Sequence, residues 1–192
     1  MKYLTFRRQA PLLLMFGLCA TDARADELEF WSGAKDGMSE RDVQKLFPTA
    51  TKPADPESLV TGTLNNFRHS AFERLRDCTV VYEGLPACGR FYFDGKKLVG
   101  VDVELRDLDR AQPAKTAELG AQLRDKLTQK LGVEPACEYS QANQLQGPSG
   151  NCQWHAEGKR IRLSYFHGLM PEVSPTDKVM FTISFRREPP SS

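Results

Sequence analysis

Two carboxylates in the middle of the chain are spaced as a catalytic pair can be. Asp102 and Glu104 alternate with apolar residues, so they lie on one face of a predicted strand, about 7 Å apart. Carboxylates separated by about this distance hydrolyse glycosidic bonds. A solvated strand face produces the same alternation, and it is the interpretation we favour. The pair therefore supports a small hydrolase only as a minor alternative.

Two histidines are further candidates for acid–base chemistry. His155 follows Trp154 and has the chemistry of a general base, but an outward-facing polar strand position explains it as well. His167 has no evident Ser or Cys partner. The sequence contains no phosphate-binding glycine loop, no H-E-x-x-H and no G-x-S-x-G motif. We therefore expect a protein that is not an enzyme.

Four cysteines outside the N-terminal segment predict two disulfides. The chain has five cysteines, and setting aside Cys19 leaves an even number, which is typical of an exported disulfide framework. Four cysteines allow three pairings. We favour the local ones, Cys78–Cys88 and Cys137–Cys152, because each pair flanks a turn-rich stretch. Neither spacing is C-x-x-C, so we expect no redox site, no metal and no cofactor.

The first 25 residues match a secretory signal peptide. A basic start precedes an apolar run over 10–18, and an A-x-A site ends at Ala25. The run is shorter than the roughly 20 residues that span a bilayer. Twin-arginine export and lipidation at Cys19 are weaker alternatives. We predict cleavage between Ala25 and Asp26 and a periplasmic or secreted chain.

The predicted mature chain carries little net charge. The signal segment holds four of the 26 cationic and one of the 25 acidic residues, which leaves 22 against 24. A net charge of about −2 favours neither nucleic acid nor an anionic membrane surface. We therefore expect another protein as partner, with no nucleic acid and no strong membrane binding.

The clearest fold signal is a β-hairpin over Cys88–Leu105. Phe91 and Phe93 share one face of its first strand, and alternate apolar residues over 99–105 share one face of its second strand. Asp94-Gly95 lies between the two runs and is a strong turn signal. The hairpin therefore has one buried and one solvated face.

Two helices are predicted. Ser39, with an acidic residue three positions later, marks the start of the first helix, which ends at Pro48. Pro113 opens the second, whose leucines recur every fourth residue up to Gly132. Between them, 49–75 fits no single pattern, because strand and helical-turn signals follow each other.

The chain divides into two halves, 26–110 and 111–192, that form one compact domain. Each half shows a helix, two cysteine-bearing strands, a charged Gly turn and an alternating strand, so that Cys78 corresponds to Cys137 and Cys88 to Cys152. The predicted fold class is α+β. It consists of an antiparallel sheet with helices packed on one face, built from two tandem helix-plus-hairpin repeats.

The stretch Gly37–Pro48 (GMSERDVQKLFP) resembles the G-M-[ST]-x-x-x-V opening of small envelope proteins of the BamE/SmpA type. It is also similar to the opening of the β-lactamase inhibitory protein repeats. That resemblance implies tandem α/β repeats, each with a disulfide, that grip a target through an exposed sheet face. The chain departs from the pattern at Phe47, where Gly is common, and it lacks the lipidation cysteine of the BamE type.

Side chains that could bind a partner are predicted at two places. The loop over 166–178 is longer than most hairpin loops and carries apolar residues. The solvated sheet face mixes aromatic and charged groups, as protein interfaces do. The predicted partner-binding residues are Tyr92, Asp102, Glu104, Arg162, His167, Leu169 and Met170.

Together these features predict a non-enzymatic periplasmic protein-binding module of the inhibitor or immunity-protein type. Its partner would be an envelope enzyme or a toxin. An envelope-assembly accessory protein of the BamE type is the first alternative, and a small hydrolase is the second.

Overall fold

The part of the chain that the structure describes folds into one large antiparallel sheet, a small hairpin and two helices. A computed structural model describes residues 28–61, 68–108, 113–141, 146–168 and 179–188. The predicted signal peptide lies outside the described residues. The elements in chain order are β1 (Glu29–Trp31), β2 (Ala34–Lys35), α1 (Glu40–Leu46), β3 (Ser58–Thr61), β4 (Arg68–Tyr82), β5 (Leu85–Asp94), β6 (Lys97–Leu105), α2 (Pro113–Leu131), β7 (Ala136–Ser140), β8 (Gln146–Ala156), β9 (Lys159–Gly168) and β10 (Val179–Arg187).

Two four-stranded meanders make up the large sheet. Strands β3 to β6 form the first meander and β7 to β10 the second, and pairing of β6 with β10 gives the order β3-β4-β5-β6-β10-β9-β8-β7. The register at this junction places Val103 opposite Ile183 and Asp102 opposite Ser184. From this junction, the strands follow one another in reverse chain order toward each edge of the sheet, from β6 to β3 on one side and from β10 to β7 on the other.

The predicted α+β architecture, with helices packed on one sheet face, is wrong. The fold is mostly strand (56%), and the eight-stranded sheet curls into a half-barrel. Helix α1 has only seven residues and buries Val43, whereas α2 contacts β8 and β9. Part of the 49–75 stretch forms β3 and the start of β4, which raises the strand content. Neither helix of the described part has the length and apolar character needed to cross a membrane.

The predicted helix-plus-hairpin repeats are wrong as well. Each helix is followed by four strands. The bond Cys78–Cys88 joins the second and third strands of the first meander, whereas Cys137–Cys152 joins the first and second strands of the second meander. Cys78 therefore does not correspond in position to Cys137, and Cys88 does not correspond to Cys152, contrary to the prediction.

Two Glu-Gly turns occupy the same place in each meander. Glu83-Gly84 joins β4 to β5, and Glu157-Gly158 joins β8 to β9. The φ values are 51° and 84° in the first turn and 51° and 71° in the second. Positive φ at both central residues defines the type I′ turn, whose twist matches that of the flanking strands. The two meanders therefore correspond through these turns.

Both disulfides are the local ones that the sequence favours. The S–S distances are 2.03 Å for Cys78–Cys88 and 2.06 Å for Cys137–Cys152. Two such bonds indicate an oxidising compartment outside the cytoplasm. The first bond lies at a β-bulge, because Cys78 and Thr79 together lie opposite the single residue Cys88.

Hydrogen bonds to Asp77 hold this bulge. The carboxylate is 2% exposed. It accepts hydrogen bonds from the Thr49 hydroxyl at 2.6 Å and from the amide and hydroxyl of Thr79 at 2.9 and 2.7 Å. Burial alone would raise the pKa of Asp77, but these hydrogen bonds outweigh burial and lower the pKa.

Residues that alternate along the strands form one hydrophobic core, and α2 joins it at Tyr165. The ring of Tyr165 lies between Gly120 of α2 and Gly150 of β8. A Cβ atom at Gly120 would lie 2.4 Å from the ring, and one at Gly150 would lie 2.5 Å from it. The largest buried side chains of the core include Leu75, Phe91, Phe93, Trp154, Phe181 and Ile183.

Replacing Gly120 by Ala tests this contact. Helix propensity alone favours Ala by about 1 kcal/mol, but the added methyl group overlaps the Tyr165 ring. We expect the free energy of unfolding to fall by about 1–3 kcal/mol, measured by denaturant titration. The exposed Gln129 on the same helix is the control, and Gln129→Ala should change stability by less than about 0.5 kcal/mol. A more stable Gly120→Ala variant would contradict the packing.

Replacing Asp77 by Asn tests the hydrogen bonds at the bulge. The folded pKa of Asp77 lies below its unfolded value of about 3.9. Its contribution to stability is therefore complete above that value and is lost as the pH falls through the folded pKa. We expect the Asn variant to be less stable near neutral pH and to lose less stability on acidification from about pH 5 to about pH 2. Parallel pH dependences of the free energy of unfolding in the two proteins would refute this role.

Candidate protein-binding face

Strand alternation gives the large sheet a face of mostly polar side chains, which we call the polar face. On β10, Phe181, Ile183 and Phe185 are buried in the core, so Thr182 and Ser184 point to the opposite side. Neighbouring strands continue these positions in register, so the polar side chains form rows across the sheet.

Ion pairs cover the part of the polar face that β4, β5 and β6 form. Arg90 forms ion pairs with both Glu57 and Glu104. Arg76 binds the buried Glu73 through two nitrogens, at 2.6 and 2.8 Å. Burial would lower the pKa of Arg90, but the carboxylates of Glu57 and Glu104 outweigh it and raise the pKa. These side chains therefore pair with one another within the sheet, although Nε of Arg90 is buried without a hydrogen-bond partner among the described residues.

Arg186 extends this network from β10 across β6 to β5. Its Nη2 donates a hydrogen bond to Asp102 at 2.6 Å, and its Nη1 donates to two backbone carbonyls at 2.9 and 2.8 Å. Its guanidinium group lies 5.0 Å from the centre of the Tyr92 ring. A Cβ atom on Gly100 would lie 2.6 Å from Arg186. The absence of a side chain at Gly100 therefore lets Arg186 cross β6.

The ion-paired region contains three of the predicted partner-binding residues. Asp102 and Glu104 are bound by different arginines, as structural carboxylates are. Tyr92 is 1% exposed, and burial raises its pKa. These side chains already have partners within the chain. The ion-paired region comprises Glu57, Glu73, Arg76, Arg90, Tyr92, Asp102, Glu104 and Arg186.

The part of the polar face formed by β8, β9 and β10 is different, and we call it the open patch. Phe166 on β9 pairs in register with Met180 on β10, and the two residues are 39% and 55% exposed. In the sequence, Met180 is apolar at a position of β10 where the alternation predicts a polar residue. This departure from the alternation is the signal that could have identified Met180 as a surface residue of interest. The open patch comprises Asn151, Arg162, Ser164, Phe166, Met180, Thr182 and Ser184.

Arg162 supplies the charge of the open patch. Its side chain is exposed, and its Nη2 lies 3.5 Å from the amide oxygen of Gln153. Arg162 forms no ion pair with any carboxylate among the described residues. The hydroxyl of Ser164 donates to the Asn151 side chain at 3.1 Å. Among the predicted partner-binding residues that the structure describes, Arg162 is the one that lies in this patch.

His167, another of the predicted partner-binding residues, does not lie on the polar face. His167 is 1% exposed and faces the core, where its Nδ1 lies 3.1 Å from the hydroxyl of Thr116. The side chain of His167 is therefore inaccessible in this structure, and its role in binding stays a prediction. Leu169 and Met170 lie outside the described residues.

His155, the other histidine considered for acid–base chemistry, lies exposed at the edge of the polar face. Its Nε2 lies 2.7 Å from the Gln153 amide nitrogen, and its Nδ1 is hydrogen-bonded to the Glu188 carboxylate. Within the described ranges, no three His, Cys, Asp or Glu side chains are grouped closely enough to hold a metal ion.

Comparison of the chain with protein-family profiles, curated proteins and solved structures found no match. The resemblance of Gly37–Pro48 to the BamE/SmpA type and to the β-lactamase inhibitory protein repeats stays a prediction. The candidate site therefore rests on the geometry and chemistry of the polar face.

Replacing Asp102 by Asn tests whether the ion-paired region stabilises the fold. Asp102 and Arg186 are 13% and 15% exposed, and loss of one partner leaves a mostly buried charge. We expect a loss of about 3 kcal/mol in the free energy of unfolding. Asp125 pairs with Arg124 at the surface and is 67% exposed, so Asp125→Asn should cost less than about 1 kcal/mol. Similar losses in both variants would show that burial does not distinguish the pairs.

Proposed function

We propose that the chain is a non-enzymatic protein-binding module of the inhibitor or immunity-protein type, and that the open patch is its contact surface. The observation that carries this proposal is the adjacent, exposed pair Phe166 and Met180 on an otherwise polar sheet face. Aromatic residues, Met and Arg are enriched in the centres of protein interfaces, where Lys, Glu and Asp are depleted. The open patch has this composition.

The chemistry of the patch defines the partner. Phe166 and Met180 require an apolar surface on the partner, because burying them removes apolar area from water. Arg162 carries an uncompensated charge and five N–H donors, which favour a carboxylate. The partner is therefore a protein that presents an acidic side chain beside an apolar one.

The scaffold supports binding because the patch lies on strands and not on a loop. Both strands beside the Phe166–Met180 pair are held in register by antiparallel pairing on both sides. The bond between Cys137 and Cys152 fixes the adjacent edge of the sheet. Less conformational freedom is lost on binding when the contact surface is pre-organised.

The two disulfides indicate an oxidising compartment, which is compatible with this proposal. We propose that the first 25 residues are a cleaved export signal and that the mature chain acts in the periplasm or outside the cell. The partner is then an envelope enzyme or a toxin that meets the chain there.

Affinity capture with matched variants tests the proposal. The purified chain is immobilised and exposed to an envelope extract of the organism that encodes it, and each retained protein is then purified and titrated against the chain. We expect one protein to bind in a 1:1 complex. Phe166→Ala, Met180→Ala and Arg162→Glu should each weaken its affinity by about tenfold or more.

Val81 provides the control, since it is exposed to 63% and lies on β4, away from the open patch. Val81→Ala should leave the affinity unchanged. The proposal fails if no protein binds stoichiometrically, or if the patch variants bind the captured protein as tightly as the Val81→Ala control does.

A further inference from the structure

The outer edge of β7 is a regular, exposed sheet edge. β7 is the last strand on its side of the large sheet and pairs only with β8. Ala136, Glu138, Tyr139 and Ser140 are exposed, and Cys137 is half-buried. The pairing of β7 with β8 contains no bulge. The side of β7 that faces away from β8 is therefore open along the whole strand.

The register with β8 shows which backbone groups point outward. Cys137 lies directly opposite Cys152, and their Cα atoms are 4.1 Å apart. Opposed residues about 4.5 Å apart form the non-hydrogen-bonded pairs of an antiparallel sheet, whereas hydrogen-bonded pairs are about 5.5 Å apart. The N–H and C=O of Cys137 therefore point away from β8, and the alternation gives Tyr139 the same orientation. Glu138, between them, directs its backbone groups to β8.

The outward groups are available to another strand. Apart from the ladder with β8, no backbone hydrogen bond among the described residues reaches Cys137 or Tyr139. Proteins commonly protect such an edge with Lys, Pro or a bulge. β7 contains none of these, whereas β3, at the opposite edge of the sheet, has a register shift between Leu59 and Val60. β7 is therefore the edge that is better suited to pairing.

The side chains of β7 determine which strand fits. Glu138 lies beside Asn151 on the polar face, is exposed and forms no ion pair with a described residue. Tyr139 points to the other face and is 51% exposed, and its hydroxyl accepts a hydrogen bond from Arg124 at 3.1 Å. The edge thus presents a carboxylate on one face and a positioned aromatic ring on the other.

A second copy of the chain is a poor occupant of this edge. Glu138 is the central residue of β7, so antiparallel pairing of two copies along the full strand places Glu138 directly opposite its copy. Like charges that lie directly opposite are destabilising, whereas opposite charges and pairs of aromatic with β-branched residues are stabilising. The favoured strand therefore has a basic residue opposite Glu138 and β-branched residues on both sides of it, on the face of Tyr139.

We propose that the edge of β7 binds an extended segment of another protein by strand addition, with Lys or Arg opposite Glu138. Main-chain hydrogen bonds to Cys137 and Tyr139 supply affinity, and the side chains supply specificity. This inference goes beyond the proposed function, because it requires no residue of the open patch. It is tested with a synthetic peptide, so the result does not depend on a captured protein.

Two peptides of five residues, the length of β7, serve as probes. One is acetyl-Thr-Val-Lys-Val-Thr-amide, and the other has Glu in place of Lys. The isotope-labelled chain is titrated with each peptide and observed by NMR. We expect the Lys peptide to give saturable shifts centred on β7 and to slow hydrogen exchange at the amides of Cys137 and Tyr139. The Glu peptide should bind at least about threefold more weakly.

Reversal of the charge of Glu138 tests the side-chain contact. Glu138→Lys should reverse the preference, so that the Glu peptide binds at least about threefold more tightly than the Lys peptide. Glu134 is also exposed and precedes β7, so Glu134→Lys is the control with the same change in charge. Glu134→Lys should keep the preference for the Lys peptide, because salt screens charges that are not in contact.

Two variants of Tyr139 test the main-chain contact. Both Tyr139→Pro and Tyr139→Thr remove the ring, but only Tyr139→Pro removes the outward N–H, at an edge position where Pro is tolerated. Tyr139→Pro should bind the Lys peptide at least about threefold more weakly than Tyr139→Thr.

Four results would overturn the proposal. The Lys peptide shows no saturable binding, Glu138→Lys keeps the original preference, or the two Tyr139 variants bind equally. In the fourth result, pairing between copies already protects the amides of Cys137 and Tyr139 in the chain without peptide.

Discussion

The pairing of β6 with β10 is the constraint on which the rest of the structure depends. Residues 100–104 lie opposite 182–186 and join the two meanders into one sheet. On the core side this junction places Val101 beside Phe185, and on the polar face it brings Arg186 to Asp102. Separate meanders would each expose an additional edge with unpaired backbone groups. The core and the ion-paired region both draw residues from the two sides of this junction.

The polar face divides into two parts because its charges are distributed unevenly. In the ion-paired region each arginine has a carboxylate from the chain itself, so a protein covering it would have to dehydrate pairs that are already satisfied. In the proposed complex, covering the open patch would instead bury Phe166 and Met180 and would provide a counter-ion for Arg162. The cost of dehydrating the ion-paired region therefore directs a partner to the open patch as much as the favourable contacts of the open patch do.

Local features of the fold follow from the sequence, whereas long-range ones do not. The central hairpin has the predicted turn, and the side chain of Ser39 accepts a hydrogen bond from the Asp42 amide at the start of α1, as predicted. The part of β4 before Cys78 escaped prediction because charged residues and bulges interrupt its alternation. The fit of Tyr165 between glycines of α2 and β8 depends on residues far apart in sequence. Predicting the open patch required the register of β9 against β10, and no local sequence pattern specifies that register.

Each disulfide closes within a single meander, and this has a consequence for how an exported chain matures. Under the proposed export, the chain crosses the membrane from its N terminus, so Cys78 and Cys88 would emerge as a pair well before Cys137 and Cys152. A thiol oxidase on the far side of the membrane would then meet one pair at a time. This order of delivery would favour the native connectivity without a disulfide isomerase.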